Sequence, residues 1–312
     1  MHLTLDEAQT RLIAPARCRD QAELLTYFDL PITLLQTRDA LTRVTSELVG
    51  DLADDGVRYA EIRWAPRLHL QRGLSVTDVI AAVADGAADA RRALGEASPV
   101  VGLIVTAMRS HPPAANVELA RTAGAFGAPV VGFDLAGLEA TYPAPPHAAA
   151  FRAAEEEGLG LTAHAGEVPG PQRVREAVEL GVRRVAHGVT TIDDPAVVDL
   201  VRREDITLDM CPTSTVQAGL VADVGAHPLA ALHRAGVSVT ISTDDRTVSN
   251  VTLTDEMVSA AALMGLSPAE LSAIARNAFE RAFSPRGVTQ ALATAADREW
   301  EAWAATAGAA IS

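Results

Sequence analysis

In Leu161-Thr162-Ala163-His164-Ala165-Gly166-Glu167 an imidazole and a carboxylate stand three residues apart, where an apolar run meets a glycine. Two stretches further on have the same character: His187 in Val185-Ala186-His187-Gly188, and Asp244-Asp245 after Ile241-Ser242-Thr243. Neutral imidazole is the commonest metal ligand, which makes His164 a candidate donor. A carboxyl group just beyond such a ligand suits proton delivery to a substrate, the task open to Glu167. His187 could orient or deprotonate a metal-bound water, and the glycine after it lets a ligand approach the backbone. Neighbouring residues at a strand end point different ways, so one of Asp244 and Asp245 could bind metal while the other meets water or substrate. Each group alone has an ordinary reading: a core histidine on a carbonyl, a solvated loop glutamate, a turn aspartate. Their recurrence as successive apolar runs stop favours chemistry. His2, His69, His111, His147, His227 and His233 lack carboxylate company, although His111 follows a strand end.

Such groups need a scaffold that brings them to one place. Residues 1–56 read as helical, with Ala22, Leu25, Phe28 and Leu30, then Leu41, Val44, Leu48 and Leu52, as packing faces. From residue 57 to 245 short apolar runs alternate with amphipathic segments. The strand readings are 57–64, 100–108, 129–135, 159–163, 184–187, 206–210 and 237–242. The helices between them are 76–94, 113–125, 145–157, 171–180, 194–203 and 227–235, with Asp193 or Asp194 as a cap for the fifth. Residues 253–307 read as helical. The runs are apolar enough to be buried on both faces, as strands of a parallel sheet are. No linker composition interrupts the series, so residues 1–312 read as a single domain of seven βα units. Parallel strands share one carboxyl-terminal rim. It would carry Glu61, Arg63, Met108, Arg109, Asp134, Gly137, Asp209, Cys211, Ser214 and Thr243 beside the groups above, which is where α/β barrels keep their active sites.

Composition narrows the function classes. The chain has 26 Lys+Arg against 40 Asp+Glu, a net charge of −14, and no local basic cluster, which argues against nucleic acid as a partner. Its apolar runs stop short of the roughly 20 residues that span a membrane. Cys18 and Cys211 are the only cysteines, which excludes a disulfide framework and a cysteine-rich zinc site and fits a cytoplasmic protein.

Seven motifs at successive strand ends carry a resemblance: AEIRWAP (60–66), TAMR (106–109), FDLAG (133–137), TAHAGE (162–167), AHG (186–188), CPTS (211–214) and STDD (242–245). Together with NAFERAF (277–283) they strongly resemble the adenosine deaminase family, zinc-dependent purine nucleoside aminohydrolases of the amidohydrolase superfamily. The resemblance covers roughly residues 18–283. It implies a (β/α)8 TIM-type barrel with Zn2+ at the rim and His164 and Asp244 as zinc ligands. Glu167 would protonate the purine ring nitrogen next to the reacting carbon, and His187 would act as base to the attacking hydroxide. Asp245 would hold that water or the leaving amine, and Gly137 would offer a backbone contact to the purine. The implied reaction is hydrolysis of adenosine or a related 6-aminopurine to its 6-oxo product and ammonia.

One feature of the family is missing. Its first strand carries His-x-His, both imidazoles on zinc, and no His-x-His occurs here. Met1 is expected to fall in the connection after that strand, so the first βα unit is absent and two zinc ligands with it. His164 and Asp244 alone fall below the three protein ligands usual at catalytic zinc. The alternative is a metal-poor relative that binds a purine-like ligand without hydrolysing it, or that performs metal-free isomerase or cyclase chemistry. Loss of the first strand would also leave open sheet edges, from which self-association is expected.

Overall fold

The computed structural model describes residues 4–311, so His2 lies outside the described residues. Four helices precede the sheet: α1 (Leu5–Leu12), α2 (Gln21–Leu25), α3 (Asp29–Leu34) and α4 (Arg38–Asp54). There follow β1 (Tyr59–Trp64), α5 (Val76–Leu94), β2 (Val100–Met108), α6 (Pro113–Phe126), β3 (Val130–Ala136), α7 (Ala148–Glu156), β4 (Gly160–Ala165) and α8 (Gln172–Glu179). Next come β5 (Arg184–His187), α9 (Pro195–Arg203), β6 (Thr207–Met210), α10 (Pro212–Gln217), α11 (Leu229–Arg234) and β7 (Ser238–Ile241). The chain ends with α12 (Arg246–Ser249), α13 (Leu253–Met264), α14 (Pro268–Glu280) and α15 (Arg286–Ile311).

The seven strands form one sheet in the order β1 to β7, each parallel to the next. The sheet is curled. Four strand spacings would separate β1 from β5 by about 19 Å in a flat sheet. Instead Glu61 Oε2 lies 2.6 Å from Arg184 Nη2, so the two strands face each other across the concave side. Among the described residues the fold is thus that of a β/α barrel with seven strands. The core lies between sheet and helices and is mostly aliphatic, with Phe133 and Phe151 in edge-to-face contact as its large aromatic pair.

Side chains pointing into the concavity alternate along each strand with those facing the helices, as the period of two requires. The lower level holds a charged cluster. Arg184 bonds Glu61 and lies 3.1 Å from Asp209 Oδ2, and Arg63 approaches Asp209 at 3.5 Å. Phe283, from the turn after α14, closes the bottom: its ring lies 4.1 Å beneath the Arg184 guanidinium, and its N–H donates to Glu61 at 2.6 Å. The upper level opens at the strands' carboxyl ends.

The N-terminal segment is helical, as the sequence reading has it, in four pieces. The last of them, α4, buries Leu41, Thr45, Val49 and Leu52 while Val44 is exposed. In α2 the inward residues are Gln21 and Leu24, and Ala22 faces outward. Of the expected packing residues Leu30, Leu41 and Leu52 are buried, whereas Ala22 and Val44 face outward, because two of the inward positions are polar, Gln21 and Thr45. Elsewhere boundaries shift mostly by one to three residues: β1 starts at Tyr59 rather than residue 57, α7 at Ala148 rather than residue 145, and α11 at Leu229 rather than His227. Asp194 is the cap of α9, accepting from the Ala196 N–H at 2.9 Å. The short helices α10 and α12, which follow β6 and β7 directly, were not expected.

Candidate active site

Strands β4, β5 and β7 end side by side with β6 between β5 and β7, and their last residues build the site. His164 closes β4. Its Nδ1 lies 3.1 Å from Asp134 Oδ2, and Asp134, fully buried on β3, also accepts from Thr106 Oγ1 at 3.1 Å. Burial would raise the Asp134 pKa, but His164 and Arg63 outweigh it and hold the group below the usual carboxylate range. An ionised acceptor at Nδ1 places the imidazole proton there and leaves Nε2 with a free lone pair. The His164 carbonyl accepts from Arg109 Nη2 at 2.5 Å, and Arg109 Nη1 donates to the Tyr142 carbonyl at 3.0 Å. Arg109 is itself buried, so it braces the strand end from below.

His187 ends β5 with φ +67°, and Asp244 follows β7 with φ +54°. Non-glycine residues in this region cost about 1–3 kcal/mol each and persist where the surroundings over-determine them. Both strained residues turn their side chains to one point. His187 Nε2 lies 3.3 Å from Glu167 Oε1 and 4.0 Å from Asp244 Oδ2, and its ring centroid is 5.2 Å from that of His164. Ser214 Oγ donates to Asp244 Oδ2 at 2.7 Å. Ser214 is positioned by α10, whose first turn is capped by the buried Glu256 through the Thr213 N–H at 3.0 Å. One ligand atom from each of His164, His187 and Asp244 falls within 4.8 Å of the others. Two imidazoles and a carboxylate at that separation suit a divalent transition metal with positions left open, so the residues present fit a metal ion.

Glu167 lies in the loop after β4, over the same point. Burial pushes its pKa up to about 8, with the negative charges of Glu139 and Asp244 adding to the rise and His164 opposing it. Burial also drives His187 below the ordinary histidine value, although Asp244 pulls the other way, so its imidazole is neutral at pH 7. The paired aspartates diverge. Burial pushes the pKa of both up, but the two imidazoles and the Ser214 hydrogen bond draw that of Asp244 down, whereas the neighbouring Asp244 carboxylate pushes that of Asp245 further up. Gly137 follows β3 at φ +106°, and a Cβ there would come 3.1 Å from Met108 Cε. The position thus needs glycine, and it presents bare backbone beside the site.

His164, Glu167, His187 and Asp244 are therefore gathered as one cluster, with Asp245 beside Asp244, while Gly137 follows the end of β3, the strand next to β4. Asp209, expected at the rim, instead sits lower among Arg184, Arg63 and Thr240. Sequence reasoning missed two buried groups. Glu139 accepts from the Gly166 N–H at 2.9 Å and the Glu167 N–H at 2.8 Å, and Gln21 bonds the Glu167 carboxyl at 2.9 Å. The acid two residues beyond Gly137 was a visible signal for the first. Nothing in the helical pattern of α2 marked the second.

The adenosine deaminase family model matches residues 4–298. Adenosine deaminase of Enterococcus faecalis is 35% identical over 273 residues, covering 87% of this chain and 80% of that protein. Adenosine deaminase of Mycobacterium ulcerans is 38% identical over 271 residues, covering 82% and 74%. Among solved structures, adenine deaminase of Arthrobacter aurescens superposes with a TM-score of 0.87 at 25% identity, covering 96% of this chain and 89% of that one. A Burkholderia ambifaria amidohydrolase with bound zinc gives 0.89 at 25% identity, covering 98% and 85%. Sequence match over nearly the whole chain and the shared curled sheet lead to one conclusion: this protein belongs to the adenosine deaminase family.

Proposed function

We propose that the protein is a zinc-dependent aminohydrolase that converts adenosine, or a closely related 6-aminopurine, to the 6-oxo compound and ammonia. The observation that carries this reading is Glu167, a buried carboxyl group held neutral near pH 7 beside His187 and within the reach of the His164 and Asp244 donors. The named relatives, and the zinc in a structural neighbour, support it.

Two of the three gathered donors, Nε2 of His164 and the Asp244 carboxylate, would hold the metal in this reading. When bound, zinc would supply a nucleophile at neutral pH by lowering the pKa of a nearby water. The remaining steps belong to the chain. Neutral His187 accepts a proton from the water as its oxygen adds to the carbon bearing the amino group. Glu167 gives its proton to the adjacent ring nitrogen, so charge does not build up on the ring. The carbon–nitrogen bond then breaks, the departing amine takes the proton held on His187 and leaves as ammonia, and the proton on the added oxygen returns to Glu167, leaving the 6-oxo group on the ring. Asp245 holds the water or the amine by hydrogen bonding. The bare backbone at Gly137 meets the purine edge.

A second assignment of His187 has its own observation, since its ring lies within donor distance of both His164 and Asp244. There it completes a three-residue ligand set and is lost as base. Metal analysis of two variants separates the readings. His164→Ala is expected to lose bound zinc. His187→Ala is expected to keep it while kcat falls about 100-fold or more, the scale of a lost general base. Loss of zinc from His187→Ala would overturn its role as base. The function itself is tested by incubating the zinc-loaded chain with adenosine, and separately adenine, and following the ultraviolet change as the amino group is lost. No turnover of either by zinc-loaded protein would refute it.

A further inference from the structure

We propose that Gln21 is a positioning residue for Glu167: its carboxamide donates to Oε2 and so leaves Oε1, on the His187 side, as the oxygen that carries and delivers the proton. The inference rests on the reading of Glu167 as proton donor and adds a residue that reading does not contain.

The geometry is a closed ring of hydrogen bonds. Gln21 Nε2 donates to Glu167 Oε2 at 2.9 Å, and Gln21 Oε1 accepts from the Glu139 N–H at 3.2 Å. The Glu139 carboxylate in turn accepts from the Gly166 and Glu167 N–H groups at 2.9 and 2.8 Å. A backbone N–H can only donate, so the Gln21 oxygen must face Glu139 and its NH2 must face Glu167. The amide orientation is therefore fixed by the network rather than open to a flip. An NH2 cannot accept, so Oε2 serves as acceptor, a role that the carbonyl oxygen of a neutral carboxyl fills better than its O–H oxygen, and the acidic proton falls to Oε1. Oε1 is the atom 3.3 Å from His187 Nε2.

Gln21 is only 5% exposed, and it reaches the site because the N-terminal segment is strapped across the rim. The Ala14 N–H donates to the Val248 carbonyl at 2.9 Å, and the Cys18 N–H to the Gln217 carbonyl at 2.7 Å. Arg17 Nη1 donates to the carbonyls of Val221 and Ala222, both at 3.0 Å. The Asp20 side chain caps α2 through the Glu23 N–H at 2.9 Å, which sets Gln21 as the first helical residue. These anchors do not involve the Gln21 side chain, so the strap and the carboxamide can be varied separately.

The test uses the full chain and three substitutions. Gln21→Met keeps the volume and cannot hydrogen-bond, and it is expected to lower kcat for adenosine about 10-fold or more with KM changed less than threefold, a transition-state effect. Hydrogen exchange at the Ala14 and Cys18 amides should stay as slow as in wild type. Arg17→Ala, which loosens the strap, should speed that exchange and raise KM instead. The third readout needs no activity. In a 15N-correlated NMR spectrum, the side-chain amide pair missing from Gln21→Met is that of Gln21, and Glu167→Ala should displace it. A kcat for Gln21→Met within twofold of wild type would overturn the inference, as would an amide pair that Glu167→Ala leaves in place. A displaced pair in a wild type that deaminates nothing would overturn the proposed activity and leave the Gln21–Glu167 contact supported.

Discussion

A carboxyl group that gives up a proton at neutral pH needs a pKa well above that of free glutamate, and the fold supplies this for Glu167 by burial before anything else. Its pKa stands at about 8 against an ordinary value of 4.5. The sign follows directly. Glu167 is protonated and able to donate below about pH 8, and donation is lost as pH rises through that value. The same shift means that the folded chain holds a proton that the unfolded chain has released between about 4.5 and 8, so stability declines as pH rises across that window. Three outcomes are expected. The wild-type kcat should fall above about pH 8 with the slope of a single group. Glu167→Gln, neutral at every pH, should lose about 10²–10⁴-fold in kcat, the usual scale for a general acid. It should also gain stability over wild type at pH 9 in urea titrations. An unchanged alkaline limb in Glu167→Gln would assign that limb to another group. The identity and order of His164, Glu167, His187 and Asp244 were readable in the sequence, because each stands where an apolar run gives way to a glycine or a polar turn. What raises the Glu167 pKa was not, since burial and the approach of Glu139 are properties of the assembled rim. Gln21, which lies 146 residues away in the chain, is beyond any local pattern.

At the level of elements, the strand and helix alternation from β1 to β7 was legible because strands covered on both faces must be apolar throughout. The curl of the sheet and the floor beneath the site were not, because both depend on contacts between distant segments. The floor is the turn after α14. Phe283 fits against β3 and β4 only because those strands carry Gly132 and Gly160 there. A Cβ on Gly160 would lie 2.2 Å from Phe283 Cγ, and one on Gly132 2.7 Å from Cδ2. Gly160→Ala would ordinarily reduce unfolded-chain entropy and stabilise. Here it is expected to cost about 1–3 kcal/mol by overpacking. In a Phe283→Ala background, where the ring is gone, most of that cost should vanish, giving a coupling measurable by a double-mutant cycle of denaturant midpoints. Additive effects would mean that Phe283 does not bear on Gly160 in solution. Displacing Phe283 also withdraws the ring beneath Arg184 and the N–H on Glu61, so the charged level under the site should loosen with it.

For the whole molecule the question is how a curled sheet of seven strands tolerates two edges. Among the described residues β1 pairs only with β2, and β7 only with β6. Side chains span the seam in place of a strand. Arg63 of β1 approaches Asp209 of β6, and Asn277 Nδ2 of α14 covers the Val239 carbonyl of β7 at 3.1 Å. The edges are short, six residues in β1 and four in β7, which limits what an incoming strand can gain. We propose that the chain self-associates through this seam, weakly and reversibly. The net charge of −14 opposes the approach of two copies. At about 0.15 M salt repulsion is screened beyond roughly 8 Å, and at 1 M beyond roughly 3 Å. Association should therefore strengthen with added salt, opposite to what an interface built on complementary charges would show. Sedimentation velocity over a hundredfold range of concentration, at low and high salt, reads this directly. The expected result is a sedimentation coefficient that rises with concentration and rises further with salt. A single monomeric boundary under all conditions would mean that the side chains bridging β1, β6 and α14 suffice to close the seam.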